Sequence, residues 1–195
     1  MSTGRWCARA AALAALALAA AGLSVLRFPG AAPADEVFLP PPGFELQAAH
    51  SGKVLLINGS AQTDGAPVVQ FSSNGGLNER WAPVPFGTGF VFVQLNGYKV
   101  LDVAGGSTDN GAGLVQQQWN GSASRVWLLV PFGPDASVFI NAKSGKAMDV
   151  AGASTADSAP VIQWDWQAGA NQIWRGIPVG VPETTSTTST TVAAG

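Results

Sequence analysis

The sequence predicts an all-β domain built from three copies of one unit. Segments ending in Trp81, Trp127 and Trp174 align without an internal gap, and equivalent residues lie 46 or 47 positions apart. Constant spacing over several anchors indicates an internal triplication. The chain also contains 24 glycines and 13 prolines, and no segment keeps a sustained helical apolar period. Short strands joined by turns account for both features.

The third copy shows the predicted elements most clearly. Its strand-like runs are SVFINA, AMDVAG, PVIQWDW and QIWRGIPV, and the clusters KSGK, ASTADSA and QAGAN separate them. The runs are short and apolar, whereas the clusters carry the small and polar residues typical of turns. The pattern predicts four strands per copy and twelve in all. Because one copy alone leaves its apolar face exposed, we expect the three to close around a threefold axis.

Both ends of the chain are predicted to lie outside the repeated domain. Residues 1–34 have a basic start, an Ala/Leu run and a small-residue APA motif, as a secretory signal peptide does. An uncleaved membrane anchor is the alternative, although the run is short for a span. Residues 35–43 form a Pro-rich lead-in, and residues 181–195 form a Thr/Ser-rich tail that we expect to be disordered.

The remaining residues, 44–180, make one domain of ordinary size, with repeats at about residues 44–88, 89–134 and 135–180. The net charge is −2 and only 11% of the residues are charged. Nucleic acids and anionic membranes require clustered Lys and Arg, so we expect neither partner once the signal is removed. The leader predicts a secreted or cell-envelope-associated protein.

The sequence offers few parts for catalysis or metal binding. His50 is the only histidine, and it lies in the linker-like start of the first repeat, where we expect a surface residue. No Cys/His cluster suggests zinc, and no DxDxDG loop suggests calcium. The acids Asp102 and Asp149 belong to different repeats and should lie too far apart for paired-acid glycoside hydrolysis. We therefore predict a non-enzymatic domain without cofactor or metal.

The segment QWDWQAGANQIW, residues 163–174, combines three indoles with carboxylate and amide side chains. A pyranose has a face of C–H groups, which suits an aromatic ring, and a rim of hydroxyls, which suits acids and amides. The segment therefore favours a sugar site. Trp164 and Trp166 are two residues apart, so on one strand they would point the same way.

Three four-stranded repeats with a closing Q-x-W-type motif resemble the ricin B-type lectins, also called family 13 carbohydrate-binding modules. The segment VIQWDWQAGANQIW carries the most specific match, and the resemblance spans about Gln47 to Pro178. It implies a β-trefoil with pseudo-threefold symmetry. It also implies a lectin-like domain for galactose-, xylose-, arabinose- or mannose-containing glycans. A β-trefoil that has lost sugar binding and serves as an interaction or inhibitor domain is the alternative.

The Trp that closes each repeat is expected to be structural. In the family this Trp packs near the threefold axis, and burial is also the default for a large ring. Apolar strand positions should surround it. The predicted core therefore contains Trp81, Trp127, Trp174, Leu55, Ile57, Leu101, Val103, Met148 and Val150.

The resemblance assigns sugar contacts to an early Asp, an aromatic ring about ten residues before the closing Trp, and an Asn and a Gln just before it. The third repeat fills these positions with Asp149, Trp164, Asn171 and Gln172, so we expect the main site there. Structural alternatives remain: the Asp fixes a turn, the amides tie the repeat end to the backbone, and the ring is buried. Trp166 is expected to pack rather than bind.

The second repeat departs from this pattern and is expected to bind more weakly. It keeps Asp102, but Gln117 stands where the ring should be, and Ser124 and Arg125 stand where the amides should be. Trp119 matches Trp166 in the alignment and could serve only by a shifted pose.

The first repeat is predicted not to bind. It has Phe71 and Asn78, but Leu56 replaces the acid and Glu79 replaces the Gln. Without the carboxylate, the hydroxyls of a bound sugar lose their charged acceptor.

Overall fold

The computed structural model describes residues 43–179, which form twelve strands joined by turns and six single-turn 3-10 helices. The first repeat contains β1 (Gly43–Ala48), β2 (Val54–Ile57), β3 (Val68–Phe71) and β4 (Trp81–Phe86). The second contains β5 (Gly89–Gln94), β6 (Val100–Val103), β7 (Leu114–Gln117) and β8 (Trp127–Phe132). The third contains β9 (Ala136–Asn141), β10 (Ala147–Val150), β11 (Ala159–Trp164) and β12 (Trp174–Val179). The 3-10 helices span Asn58–Ser60, Leu77–Glu79, Ala104–Gly106, Ala123–Arg125, Ala151–Ala153 and Ala170–Gln172.

The predicted signal peptide at residues 1–34, the lead-in at 35–43 apart from its last residue, and the tail at 181–195 lie outside the described residues. Within residues 43–179, none of the helices has the length and apolar character needed to cross a membrane.

Six of the strands close into a barrel. Antiparallel pairing runs from β1 to β4, β5, β8, β9 and β12 in turn, and β12 pairs with β1 again. The other six strands form the hairpins β2–β3, β6–β7 and β10–β11, which contact one another. A closed barrel with three associated hairpins is a β-trefoil, so the all-β prediction and the threefold closure are confirmed.

The closing Trp of each repeat is fully buried, as predicted. Each indole N–H donates to a strand carbonyl of its own repeat at 2.9 to 3.5 Å. The acceptors are the carbonyls of Leu55, Leu101 and Met148. All nine predicted core residues lie in one buried cluster, so the core prediction is confirmed. Pairing the polar edge of each ring is what allows an indole to be buried at low cost.

A buried Gln joins each repeat to its neighbour, and the sequence analysis did not anticipate this role. Gln163 Nε2 donates to the carbonyls of Ser107 and Asp109, both at 3.0 Å. Gln70 and Gln116 make the same pair of bonds to loops of other repeats. We call these three residues the inter-repeat glutamines. They fix each hairpin against the loop beside it.

Strand β11 is shorter than the sequence suggested, because it ends at Trp164 rather than continuing through Trp166. The backbone N–H of Asp165 donates to Asn110 Oδ1 at 2.9 Å, which draws the chain toward the second repeat. The carboxylate of Asp165 also pairs with Lys146, and that hydrogen bond lowers its pKa. Trp164 and Trp166 therefore do not share a strand face, which corrects the expectation that both rings point the same way.

Candidate functional site

The hairpin β10–β11 places Asp149 and Trp164 on one outward face. Asp149 lies opposite Ile162 in the ladder, and Trp164 lies two residues beyond Ile162 on the same strand. Residues directly opposite share a face, and so do residues two apart, so the acid and the ring are diagonal neighbours. Met148 and Val150, which flank Asp149 on β10, point into the core instead.

Trp164 is exposed rather than buried, with 36% of its surface accessible. Its ring lies over Gly111 of the second repeat, where an added Cβ would sit 3.5 Å from the indole. Gly111 has a φ of +85°, and its N–H donates to the carbonyl of Gln163 at 2.9 Å. The glycine therefore supports the ring from a neighbouring repeat while the rest of the ring stays open to solvent.

The carboxylate of Asp149 is held in place and keeps one oxygen free. Oδ1 accepts from Asn171 Nδ2 at 2.9 Å, whereas Oδ2 accepts no hydrogen bond from the described residues. Burial raises the pKa of Asp149 above the ordinary carboxyl value, and the amides of Gln172 and Asn171 and the nearby imidazole of His50 offset this only in part. The free oxygen suits a hydroxyl donor.

Asn171 orients the acid and is itself held by the chain. Its Nδ2 donates to the carbonyl of Val150 at 3.1 Å as well as to Asp149. Its Oδ1 lies so close to Gly169 that a Cβ there would be 2.5 Å away. A glycine is thus required before the 3-10 helix for the amide to reach the acid.

Gln172 is held by the turn after β11. It is buried, its Oε1 accepts from the N–H of Gln167, and its Nε2 donates to the carbonyl of Asp165, both at 2.9 Å. The amide also lies close enough to Asp149 to lower the pKa of that acid, and its contact with a sugar stays a prediction. At the positions equivalent to Gln172, Glu79 accepts from the corresponding turn of the first repeat, and Arg125 donates to the corresponding turn of the second repeat. Three chemically different residues make this tie, so the position serves the fold.

Trp166 packs against the second repeat. Its ring meets Phe132 on β8 edge to face, with centroids 5.8 Å apart. Trp119 of the second repeat and Phe86 on β4 of the first repeat form the equivalent pair at 5.0 Å. All four rings keep substantial exposure.

His50 was expected at the surface, but it lies half-buried beside the third-repeat site. Its Nε2 donates to the carbonyl of Ser154 at 2.9 Å, and its Nδ1 is buried without a partner. The ring is close enough to Asp149 to lower the pKa of that acid. Equivalent positions make equivalent contacts, since Asn96 and Lys143 also reach loop carbonyls of other repeats. The equivalence of these three contacts is visible only in the structure, because the aligned residues are chemically different.

In the second repeat, the acid is occupied by the chain itself. Arg125 Nε donates to Asp102 Oδ2 at 2.7 Å, and both side chains are largely buried. Gln117 lies half-buried at the place of the third-repeat ring, and Ser124 is buried. Trp119 lies beyond the end of β7, against Phe86, and does not replace the missing ring.

The first repeat has no acid at this face. Leu56 is buried where the carboxylate stands in the other repeats. Asn78 Nδ2 donates to the carbonyl of Ile57 at 3.2 Å, which matches the bond from Asn171 to Val150. Phe71 is half-buried at the end of β3, and Glu79 is buried in its turn.

The closed barrel and the three hairpins define a β-trefoil. The chain belongs to the ricin-type beta-trefoil lectin domain-like family, whose model matches residues 37–117, 89–164 and 127–193. No curated protein matches the chain.

Several solved structures share the fold. The designed threefold-symmetric protein ThreeFoil is 39% identical, with a TM-score of 0.69 over 70% of this chain and 99% of that one. An exo-beta-1,3-galactanase from Clostridium thermocellum is 30% identical, with a TM-score of 0.70 over 74% of this chain and 32% of the enzyme. A ricin B-like lectin from Macrolepiota procera, solved with lactose, is 17% identical, with a TM-score of 0.61 over 69% of this chain and 94% of the lectin. Membership of this lectin-type family supports a carbohydrate-binding role.

Proposed function

We propose that the chain is a secreted, non-catalytic domain that binds one sugar residue of a glycan mainly through its third repeat. The observation that carries the proposal is the placement of Asp149 and Trp164 as diagonal neighbours on one face of the β10–β11 hairpin, with the acid largely buried beside the exposed ring. One oxygen of the acid is free and the ring is open, as a hydroxyl rim and a C–H face require. Export rests on the leader, which lies outside the described residues.

In the proposed mode, the C–H face of the sugar stacks on Trp164. A hydroxyl of the same residue donates to Asp149 Oδ2, which is charge-assisted and stronger than a bond between neutral groups. Asn171 acts through the acid, because its amide holds Oδ1 and leaves Oδ2 without a hydrogen-bond donor from the described residues. His50 borders the pocket from the first repeat.

The arrangement supports binding rather than hydrolysis. Asp149 and Asp102 lie on different hairpins, and Asp102 is paired with Arg125, so the two do not act as a catalytic couple across one bond. His50 uses one ring nitrogen on a backbone carbonyl. Neither feature provides the acid and base that glycoside cleavage needs.

A single shallow site of this kind binds weakly, with a dissociation constant on the order of millimolar, or about −4 kcal/mol. Useful retention then comes from a polymer that presents many copies of the sugar. We expect poor agglutination by the monomer and measurable retention on a polysaccharide containing galactose, xylose, arabinose or mannose.

The test is a titration of glycans containing these sugars, followed by tryptophan fluorescence. Trp164→Ala or Asp149→Asn should abolish the response and leave the circular dichroism spectrum unchanged. Trp166→Ala is the matched control, because it removes an exposed indole of the same segment that packs on Phe132. A response that survives both site substitutions would show that sugar binds elsewhere.

A further inference from the structure

The pseudo-threefold symmetry places different charges at equivalent positions. Arg125 stands where the third repeat has Gln172, and Lys143 stands where His50 serves the third-repeat site. Together with Asp102, these residues form what we call the second-repeat cradle. It holds two cations and one carboxylate, whereas the third-repeat site is dominated by its acid.

Lys143 carries a charge that no carboxylate neutralises within the described residues. The other three lysines of the domain form ion pairs with aspartates. Lys143 instead donates to the carbonyl of Gly106, and it is exposed. An added Cβ at Gly106 would lie 3.1 Å from the amine and 3.6 Å from Ser124 Oγ, so the amine stands at the mouth of the cradle.

The inner part of the cradle has unused donors and an unused acceptor. Arg125 Nε binds Asp102 and Nη1 binds the carbonyl of Gln118, but Nη2 has no acceptor among the described residues. Asp102 Oδ1 is buried and receives no hydrogen bond, so the charge of this acid acts on Arg125 alone.

We propose that the second-repeat cradle binds an acidic saccharide, through a carboxylate or sulfate on the sugar. The anion accepts from Lys143 and from Arg125 Nη2, and Asp102 holds the guanidinium in place from the core side. Gln117 replaces the aromatic platform here, so a neutral sugar gains neither stacking nor a charged contact. This proposal depends on the proposed function only in taking a saccharide as the ligand, since it concerns the second repeat and not the third.

The test uses the full chain and sugar pairs that differ by one group: galactose against galacturonate, and glucose against glucuronate. The readout is nitrogen-15 NMR: the backbone amide signal of Gly106, which lies beside the Lys143 amine, reports the cradle, and the indole N–H signal of Trp164, assigned by a Trp→Phe substitution, reports the third-repeat site. Galacturonate or glucuronate should shift the Gly106 signal at concentrations about tenfold lower than its neutral twin, because a charge-assisted bond is roughly twice as strong as a neutral one. Raising the salt concentration from about 0.1 M to about 1 M should weaken this shift, since the Debye screening length shortens to ~3 Å.

The decisive variant is Lys143→Gln, which changes an exposed residue and leaves the buried Arg125–Asp102 pair in place. It should weaken acidic-sugar binding about three- to tenfold, in line with losing one partly screened charge. Lys143→Arg should retain binding. Arg175→Gln is the control, because it removes the same charge from an exposed pair on β12.

Two results would overturn the proposal. One is an equal shift of the Gly106 signal by a neutral sugar and its acidic twin, or no shift by either. The other is a Lys143→Gln protein that binds the acidic sugar as tightly as Arg175→Gln. The Trp164 signal reports the third-repeat site independently, so loss of neutral-sugar binding there is distinguishable from either result.

Discussion

At the scale of single residues, the proposed sugar-binding acid Asp149 destabilises the folded chain when it is ionised. Burial raises its pKa in the folded chain, so the folded state holds the proton more tightly than the unfolded chain does. Between the ordinary and the raised pKa, stability therefore falls as pH rises, and the penalty is fully present above the raised value. A residue kept at such a cost is a candidate for function.

The Asp149→Asn variant tests this coupling. We expect it to be at least as stable as the parent at pH 7, with the difference shrinking as pH falls below the raised pKa of the acid. Sugar binding should be lost at every pH, because the charged acceptor is gone. Thermal melts at pH 7 and pH 4, together with glycan titrations, measure both effects. A variant that is clearly less stable at pH 7 would contradict this account of the acid.

The residue scale also shows what the sequence could predict. The acid and the ring were found because their chemistry and spacing stand out within a single repeat. Gln172 was assigned to the sugar because an amide next to a site suggests a ligand, and only the coordinates show both its ends bonded to the turn. His50 was missed because it is remote in sequence from the repeat that it borders.

At the scale of elements, periodicity predicted the strands well but not where each one ends. The alternation in PVIQWDW continues through Trp166, yet β11 stops at Trp164. The cause is Asn110, which binds the backbone and carboxylate of Asp165 from 55 positions away. Such a distant partner has no signal in local alternation, although the same contact recurs in the other repeats through Asp64 and Asp157.

The inter-repeat glutamines give a prediction at this scale. Gln163→Met keeps the volume but leaves the carbonyls of Ser107 and Asp109 without their donor. Losing the donor of two part-buried carbonyls and the acceptor of the Ser144 hydroxyl should cost about 1–3 kcal/mol of the free energy of unfolding. Urea denaturation measures the loss, and Gln167→Met, at an exposed turn position, is the control. A loss no larger than that of the control would mean that the glutamine does not hold the repeats together.

At the scale of the whole molecule, symmetry sets the number of sites. The three hairpins are equivalent in backbone, and the sequence revealed this through its constant spacing. What differs is the side chains on each outward face: an acid and a ring in the third repeat, an acid covered by arginine in the second, and leucine in the first. The number of sugar sites per chain therefore depends on a few side chains rather than on the fold.

The same symmetry predicts that the third-repeat site can be transplanted. Gln117→Trp, Ser124→Asn and Arg125→Gln together would give the second repeat the third repeat's residues around Asp102. Space for the new ring exists, because Gly65 occupies the place of Gly111, and an added Cβ there would meet nothing within 4 Å.

We expect the triple variant to bind two neutral sugar residues per chain instead of one. Linking two weak sites should raise the apparent affinity for a polysaccharide by about 10²-fold or more, provided the polymer reaches both. Isothermal titration measures the stoichiometry, and retention on the polysaccharide measures the avidity. The control adds Trp164→Ala and should return the stoichiometry to one. A folded triple variant that still binds a single sugar would show that the acid and the ring are insufficient without His50, whose place beside the second repeat is taken by Lys143.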